Sequence, residues 1–279
     1  MLDGDEARLH DFREGTFRTK PGNQLRSVEE ALSFVEERGF IFFWPVKGVD
    51  LPSLWTAVAG DRPVPNEHDD PGHITWRWKD SMLDQKRWYY GKLLRRKATM
   101  VSLSIIPYFY ALSDRVGDLD DYLIPYEEGN LTFEEKSIAD ALLHSGALHT
   151  IELRQKAHLS ANSAKSKFER ALAALQSGLY ILPVGVAEAG SWRYAFIYEL
   201  FDRWFPWVIS QARKISRREA YQKITATYLD SVGVTNPRAI GRLFRWNQEI
   251  VLNALEALSA DGLVRSMGGD HWSTSKIFE

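Results

Sequence analysis

The chain has 279 residues, 44% hydrophobic and 26% charged, enough for one large core or two to three small domains. It holds no cysteine, which excludes disulfides, thiolate nucleophiles and cysteine-ligated metal. The net charge of −2 decides nothing about nucleic acid, but residues 151–279 are net positive and the rest net negative, and a local field is what attracts phosphate.

Residues 1–24 are polar, mixed in charge and without the apolar stretch of a signal peptide, and are expected to form a flexible arm. Ser27 followed by Glu30 makes a capping box, Leu32, Phe34 and Val35 supply an apolar face, and Gly39 ends the helix. The run Phe40, Ile41, Phe42, Phe43, Trp44 reads as a buried strand closed by Pro45. Residues 50–59 fit a short helix, 60–73 a loop rich in turn formers, and 74–78 a short tryptophan-rich segment. A basic helix is expected over 84–97, a strand over 99–104 and a further short element over 106–112. The longest apolar stretch, 101–112, is too short to cross a bilayer and is broken by Ser102, Ser104 and Pro107, so a soluble, cytoplasmic protein with no membrane partner is expected. Residues 114–130, acidic with glycine and proline, mark the best domain boundary.

From residue 131 the pattern changes. An amphipathic helix over 133–145 stops at Gly146, a second helix covers 149–159, and a polar turn at 160–163 opens a third that ends at Gly178. Strands at 179–184 and 192–197 follow, joined through 185–190. Helix, helix, turn, helix and hairpin is the winged-helix order. It returns with helices at 217–231, 238–245 (capped by Asn236 before Pro237) and 248–260, then strands at 263–267 and 271–274 around Gly268-Gly269. The expected fold class is therefore mainly α with small β hairpins (α+β), built from tandem winged-helix units. The expected domains are an arm at 1–24, an α+β winged-helix-like domain at 25–128, a central winged helix at 129–212 and a C-terminal winged helix at 213–279.

Three segments carry candidate DNA contacts. In the central unit Phe168, Leu172 and Leu175 turn one face of the third helix to the core. Ser163, Ser166, Lys167 and Arg170 then face outward, with Trp192 and Arg193 at the wing tip. In the last unit Arg238, Arg242 and Arg245 fall at i, i+4 and i+7, a stripe suited to a phosphate backbone. Between residues 86 and 97, Lys86, Arg87, Lys92, Arg95, Arg96 and Lys97 alternate with Trp88, Tyr89 and Tyr90, as stacking and phosphate contacts require. Each pattern equally describes a solvated helix face, and winged helices also serve as protein-interaction modules. Glu67, His68, Asp69, Asp70 and His73 have metal-ligand chemistry but no metal-site spacing, so no metal or cofactor is expected. Phosphate-binding, dinucleotide-binding, serine-hydrolase and zinc-protease motifs are all missing from the sequence.

Several runs together resemble the AlkZ/YcaQ-like superfamily of tandem winged-helix DNA glycosylases, and within it an AlkZ-related branch. They are Gly39-Phe40, Leu51-Pro-Ser-Leu-Trp55, Trp78-Lys-Asp80, Trp88-Tyr-Tyr-Gly-Lys92, Pro107-Tyr-Phe-Tyr-Ala-Leu112, Gly233-Val-Thr-Asn-Pro237 and Arg242-Leu-Phe-Arg-Trp246. The resemblance spans about residues 27–275 and implies a partner in double-stranded DNA, intact or damaged, and hydrolysis of an N-glycosidic bond without metal or cofactor. Active members are similar in carrying Gln-x-Gln or Gln-x-Asp after the first helix, to orient water and offset an oxocarbenium-like sugar. Here that place holds Phe42-Phe43-Trp44, which can do neither. Asp80, between aromatics and Lys79, is the displaced candidate for the catalytic carboxylate, its other reading being a helix N-cap. Phe42, Trp44, Trp76 and Trp78 are candidates to line a base pocket, or else to fill a core. Lys47 and Lys79 are amines able to form a Schiff base, without a pattern that supports either. The alternatives to a repair enzyme are a catalytically silent regulator and a protein-interaction scaffold.

Overall fold

The computed structural model describes residues 3–65, 67, 69–190 and 193–278. Its first helix, α1 (Asp3–Thr16), corrects the expectation of a flexible arm. The arm is helical because it has a distant partner. Arg13 Nε donates to the carbonyl of Val232 at 2.8 Å, and the Thr16 hydroxyl to that of Ser231 at 2.7 Å.

The rest is one pattern three times over. The first unit runs α2 (Val28–Arg38), β1 (Phe40–Phe42), α3 (Leu54–Ala59), α4 (Ile74–Leu83), β2 (Tyr89–Gly91) and β3 (Thr99–Val101). Connecting helices α5 (Ile106–Ala111) and α6 (Leu123–Glu127) lead to α7 (Phe133–Ser145), β4 (Leu148–His149), α8 (Thr150–Lys156), α9 (Lys165–Ser177), β5 (Ile181–Ala187) and β6 (Ala195–Leu200). After α10 (Phe201–Trp204) and α11 (Pro206–Ala212) come α12 (Arg217–Val232), β7 (Val234–Thr235), α13 (Pro237–Phe244), α14 (Gln248–Ala260), β8 (Val264–Gly268) and β9 (His271–Thr274). Each unit is helix, strand, helix, helix and hairpin. Each sheet is antiparallel with the third strand central, in the orders β1-β3-β2, β4-β6-β5 and β7-β9-β8. This is the winged-helix topology, so the fold is the α+β tandem of winged-helix units, and the first unit has the full pattern.

The helix starts follow the caps. The Ser27 side chain accepts from the amide of Glu30, Asn236 from that of Ala239 ahead of Pro237, and Thr132 forms a complete capping box with Glu135. Gly39 is at φ +74, where a β-carbon would lie 2.4 Å from Thr227 Cγ2, so conformation and space both demand glycine.

The helix expected over 84–97 is not formed. Trp88, Tyr89 and Tyr90 are buried and Tyr89–Gly91 pairs with β3, as aromatics favour. Lys86, Arg95 and Arg96 adopt positive φ, which no helix accommodates. The hairpin strands of the central unit start two to three residues later than expected.

The segment 114–130 is no free linker. Buried Arg115 forms ion pairs with Asp121 at 2.7 Å and with Asp202, and donates to the Leu179 carbonyl at 2.6 Å. The largest apolar cluster is continuous across all three units. Phe40 meets Phe244 edge-on at 5.8 Å between ring centroids, and Tyr110 stacks on Phe201 at 5.3 Å. Among the described residues, no helix is long and apolar enough to cross a membrane.

Candidate functional site

The fold gives each unit a third helix before its hairpin: α4, α9 and α14. On α4, Trp76, Lys79 and Asp80 lie three and four residues apart and share a face. Asp80 is inside this helix, so the N-cap reading is corrected. α4 packs against β5, which brings up Tyr194 from the turn before β6, more than a hundred residues away in the chain.

Lys79 Nζ lies 2.8 Å from Asp80 Oδ1 and donates to the Tyr194 hydroxyl at 3.0 Å, and that hydroxyl donates to Asp80 Oδ1 at 3.0 Å. The Lys79 side chain is only 4% exposed, that of Asp80 23%. The rings of Phe43, Tyr90, Tyr194 and Phe196 surround the ammonium at centroid distances of 5.5, 5.2, 5.7 and 4.5 Å. Burial lowers the Lys79 pKa against the opposing pull of Asp80, and raises that of the Tyr194 hydroxyl, with Asp80 adding to the rise. The cluster thus holds an amine, a carboxylate and a phenol in mutual hydrogen-bond contact at a partly open surface.

The tryptophan candidates divide. Trp44 is half-buried, 6.2 Å from Trp76 and 5.2 Å from Trp55 between centroids, and Trp76 is exposed. Phe42 and Trp78 are corrected: Phe42 is wholly buried in the main core and Trp78 in a second one beneath α2 and α4, so neither lines a pocket. Of the run Phe42-Phe43-Trp44, Phe43 lies against the Lys79 ammonium and Trp44 against Trp76.

On α9, Phe168, Leu172 and Leu175 are buried while Ser166, Lys167 and Arg170 are exposed, as is Ser163 in the turn before the helix. Lys167 pairs with Glu134 at 3.0 Å, which holds that carboxyl below its usual range, and Arg170 Nε donates to the Ser166 carbonyl at 3.2 Å. Arg193, exposed in the wing, pairs with Glu188. Exposed pairs of this kind are weak enough for a phosphate to displace. Trp192 and His68 lie outside the described residues.

Lys86 is turned away from the basic run, with its ammonium 2.9 Å from the Trp204 carbonyl and over the Trp204 ring. Arg87, Lys92, Arg95, Arg96 and Lys97 are exposed. The turn that carries 92–97 is fixed to the end of α9. The Lys92 amide donates to the buried Gln176 side chain at 3.2 Å, and Ser177 Oγ to the Leu93 carbonyl at 3.3 Å. Gln176 had no signal in sequence beyond being a polar residue on an apolar face. On α13, Arg238 and Arg242 are exposed. Arg245 is corrected, because it caps the helix at φ +61 and leaves the stripe. It lines instead, with Arg95, Ser177 and Gly178, a cavity of about 320 Å³. The turn at 94–96 packs on both α9 and α13, so the three basic segments adjoin.

The loop at 60–73 is tied down by Arg62, whose guanidinium grips Asp70 at 2.9 and 2.6 Å and holds that carboxyl below its usual range. Among the described residues no group of three or more acidic or histidine side chains could hold a metal ion.

The structure is similar to that of the DNA glycosylase AlkZ of Streptomyces sahachiroi, with a TM-score of 0.57 at 12% identity, covering 96% of this chain and 69% of that one. No curated protein matches the sequence. The family described as AlkZ related matches residues 25–245, and this chain belongs to it.

Proposed function

We propose that this protein binds double-stranded DNA and recognises a damaged base, a repair-related role in keeping with its AlkZ-related family and with the glycosylase it resembles in fold. The observation that carries the reading is the adjacency of the basic segments. The turn bearing Arg95 and Arg96 joins the C-terminal end of α9, whose early turns carry Lys167 and Arg170, to α13, with Arg238 and Arg242, and Arg95 and Arg245 line one cavity there. Cations on adjoining elements neutralise successive phosphates, whereas scattered ones do not. A second reading, base excision, is favoured by Asp80. Its carboxylate is oriented by Lys79 and Tyr194 on the helix that carries Trp76, which meets Trp44, side chains on which an extruded base can stack.

The test is duplex binding across a salt series, with undamaged DNA and DNA carrying an alkylated base, scored also for alkali-induced strand cleavage. Salt-dependent binding that is tighter on the damaged duplex is expected, and no binding in any tube overturns the proposal. Lesion-dependent cleavage that Asp80→Asn removes establishes excision. Binding without cleavage leaves a recognition protein for the lesions tested.

A further inference from the structure

We propose that Lys79 is an amine nucleophile that forms a Schiff base with the aldehyde of an abasic deoxyribose, making the Lys79–Asp80–Tyr194 cluster a lyase site. This rests on the DNA-binding reading above, but it asks for different chemistry from base hydrolysis, in which water is the nucleophile and no bond to the protein forms.

Three requirements of imine formation are met at one place. The amine must spend time uncharged, and Lys79 is the buried lysine of the chain among the described residues, ringed by aromatic side chains that exclude water. Its depressed pKa follows from that burial. The amine must pass a proton to a base, and Asp80 Oδ1 is 2.8 Å from Nζ. The carbinolamine hydroxyl must leave with a proton, and the Tyr194 hydroxyl stands 3.0 Å from both Nζ and Asp80 Oδ1, placed to relay it. Lys47, the other amine in this part of the sequence, is exposed in the turn after β1, where nothing desolvates it.

The step balances without a co-reactant. The Nζ lone pair attacks C1′ of the ring-opened sugar and the carbonyl π pair moves to oxygen, which takes up a proton. Asp80 accepts the proton lost from nitrogen and returns it through Tyr194 to the carbinolamine oxygen, which leaves as water as the iminium forms. Asp80, again a carboxylate, then takes a proton from C2′, the C2′–H pair becomes the C2′–C3′ double bond, and the C3′–O bond breaks with its pair leaving on the 3′ phosphate, which cleaves the strand; addition of water to the imine frees Lys79. Tyr194 is the most exposed member of the cluster, with the Asp80 side chain also partly open, so the aldehyde approaches the amine from their side.

The experiment uses the full chain and a duplex containing one abasic site, with sodium cyanoborohydride to reduce any imine, and duplex binding measured in the same tubes. A covalent protein–DNA adduct is expected, with peptide mapping placing the added mass on Lys79. Lys79→Gln should reduce the adduct to the level without protein, Lys47→Gln should leave it unchanged, and Asp80→Asn should slow its formation by about hundredfold. Should Lys79→Gln fail to fold, the mapped position in the native chain decides alone. Binding without an adduct, or an adduct mapped elsewhere, overturns the inference and leaves the DNA-binding reading standing. Absence of binding overturns both.

Discussion

At the scale of single residues, the aromatic run at 40–44 shows how little separates a packing side chain from a reactive surface. Phe42 and Trp44 are two positions apart, yet Phe42 is sealed in the core and Trp44 reaches the exposed Trp76. Phe42→Ala should therefore lower stability by about 3–5 kcal/mol, read from chemical denaturation. Trp76, 41% exposed, should behave oppositely. Its replacement by alanine should leave the denaturation midpoint nearly unmoved while weakening the preference for a damaged duplex, and a large loss of stability would show that the ring packs rather than binds. The sequence marked Asp80 by its chemistry and its aromatic neighbours. It did not mark the partners, because Tyr194 reaches Asp80 only through the packing of α4 on the hairpin of the next unit.

At the scale of elements, α13 offers the cleanest test of the proposed surface. Its cap, proline and buried Ile240 and Leu243 fix it without help from Arg238 and Arg242. Reversing both charges to glutamate should leave the melting temperature close to that of the native chain. Duplex affinity should fall, and the salt slope should shrink by about 0.9 for each phosphate that is no longer neutralised. An unchanged slope would show that this face is only solvated. The central and C-terminal units were legible because each element announces itself locally, through caps, glycine stops and apolar periodicity. The first unit was legible in part: its opening helix, β1, α3 and β3 were expected, whereas α4 was read only as a short segment and β2 as part of a helix, because the basic residues around Trp88 imitate an amphipathic one. Helix α1 was missed for a related reason: its own sequence is polar, and what orders it lies at Val232 and Ser231.

At the scale of the whole molecule, Arg115, Asp121, Asp202 and Tyr110 tie the segment that follows the first unit to the helix that follows the central one, and Arg115 also reaches the Leu179 carbonyl. Arg115→Ala strands two buried carboxylates and should reduce stability by about 3–5 kcal/mol. Burial pushes the Asp202 carboxyl up to about 6, against the pull of Arg115 and the Tyr110 hydroxyl. Unfolded, it titrates near about 3.9. Between these values the folded chain holds the extra proton, so the stabilisation from this group is full below the unfolded value and is lost as pH rises through about 6. Thermal melts across that window should show the native chain losing ground, as pH rises, to Asp202→Asn, which cannot titrate. Parallel profiles would remove Asp202 from the account.

The ring contact of Phe40 with Phe244, and of both with Phe109, has a consequence for a severed chain. A cut near residue 118 leaves neither side with the whole of the largest apolar cluster, since each contributes rings to it. Two polypeptides made separately and mixed should therefore each be poorly ordered alone and should recover the native circular dichroism together, reconstituting as complementing halves rather than as independent modules.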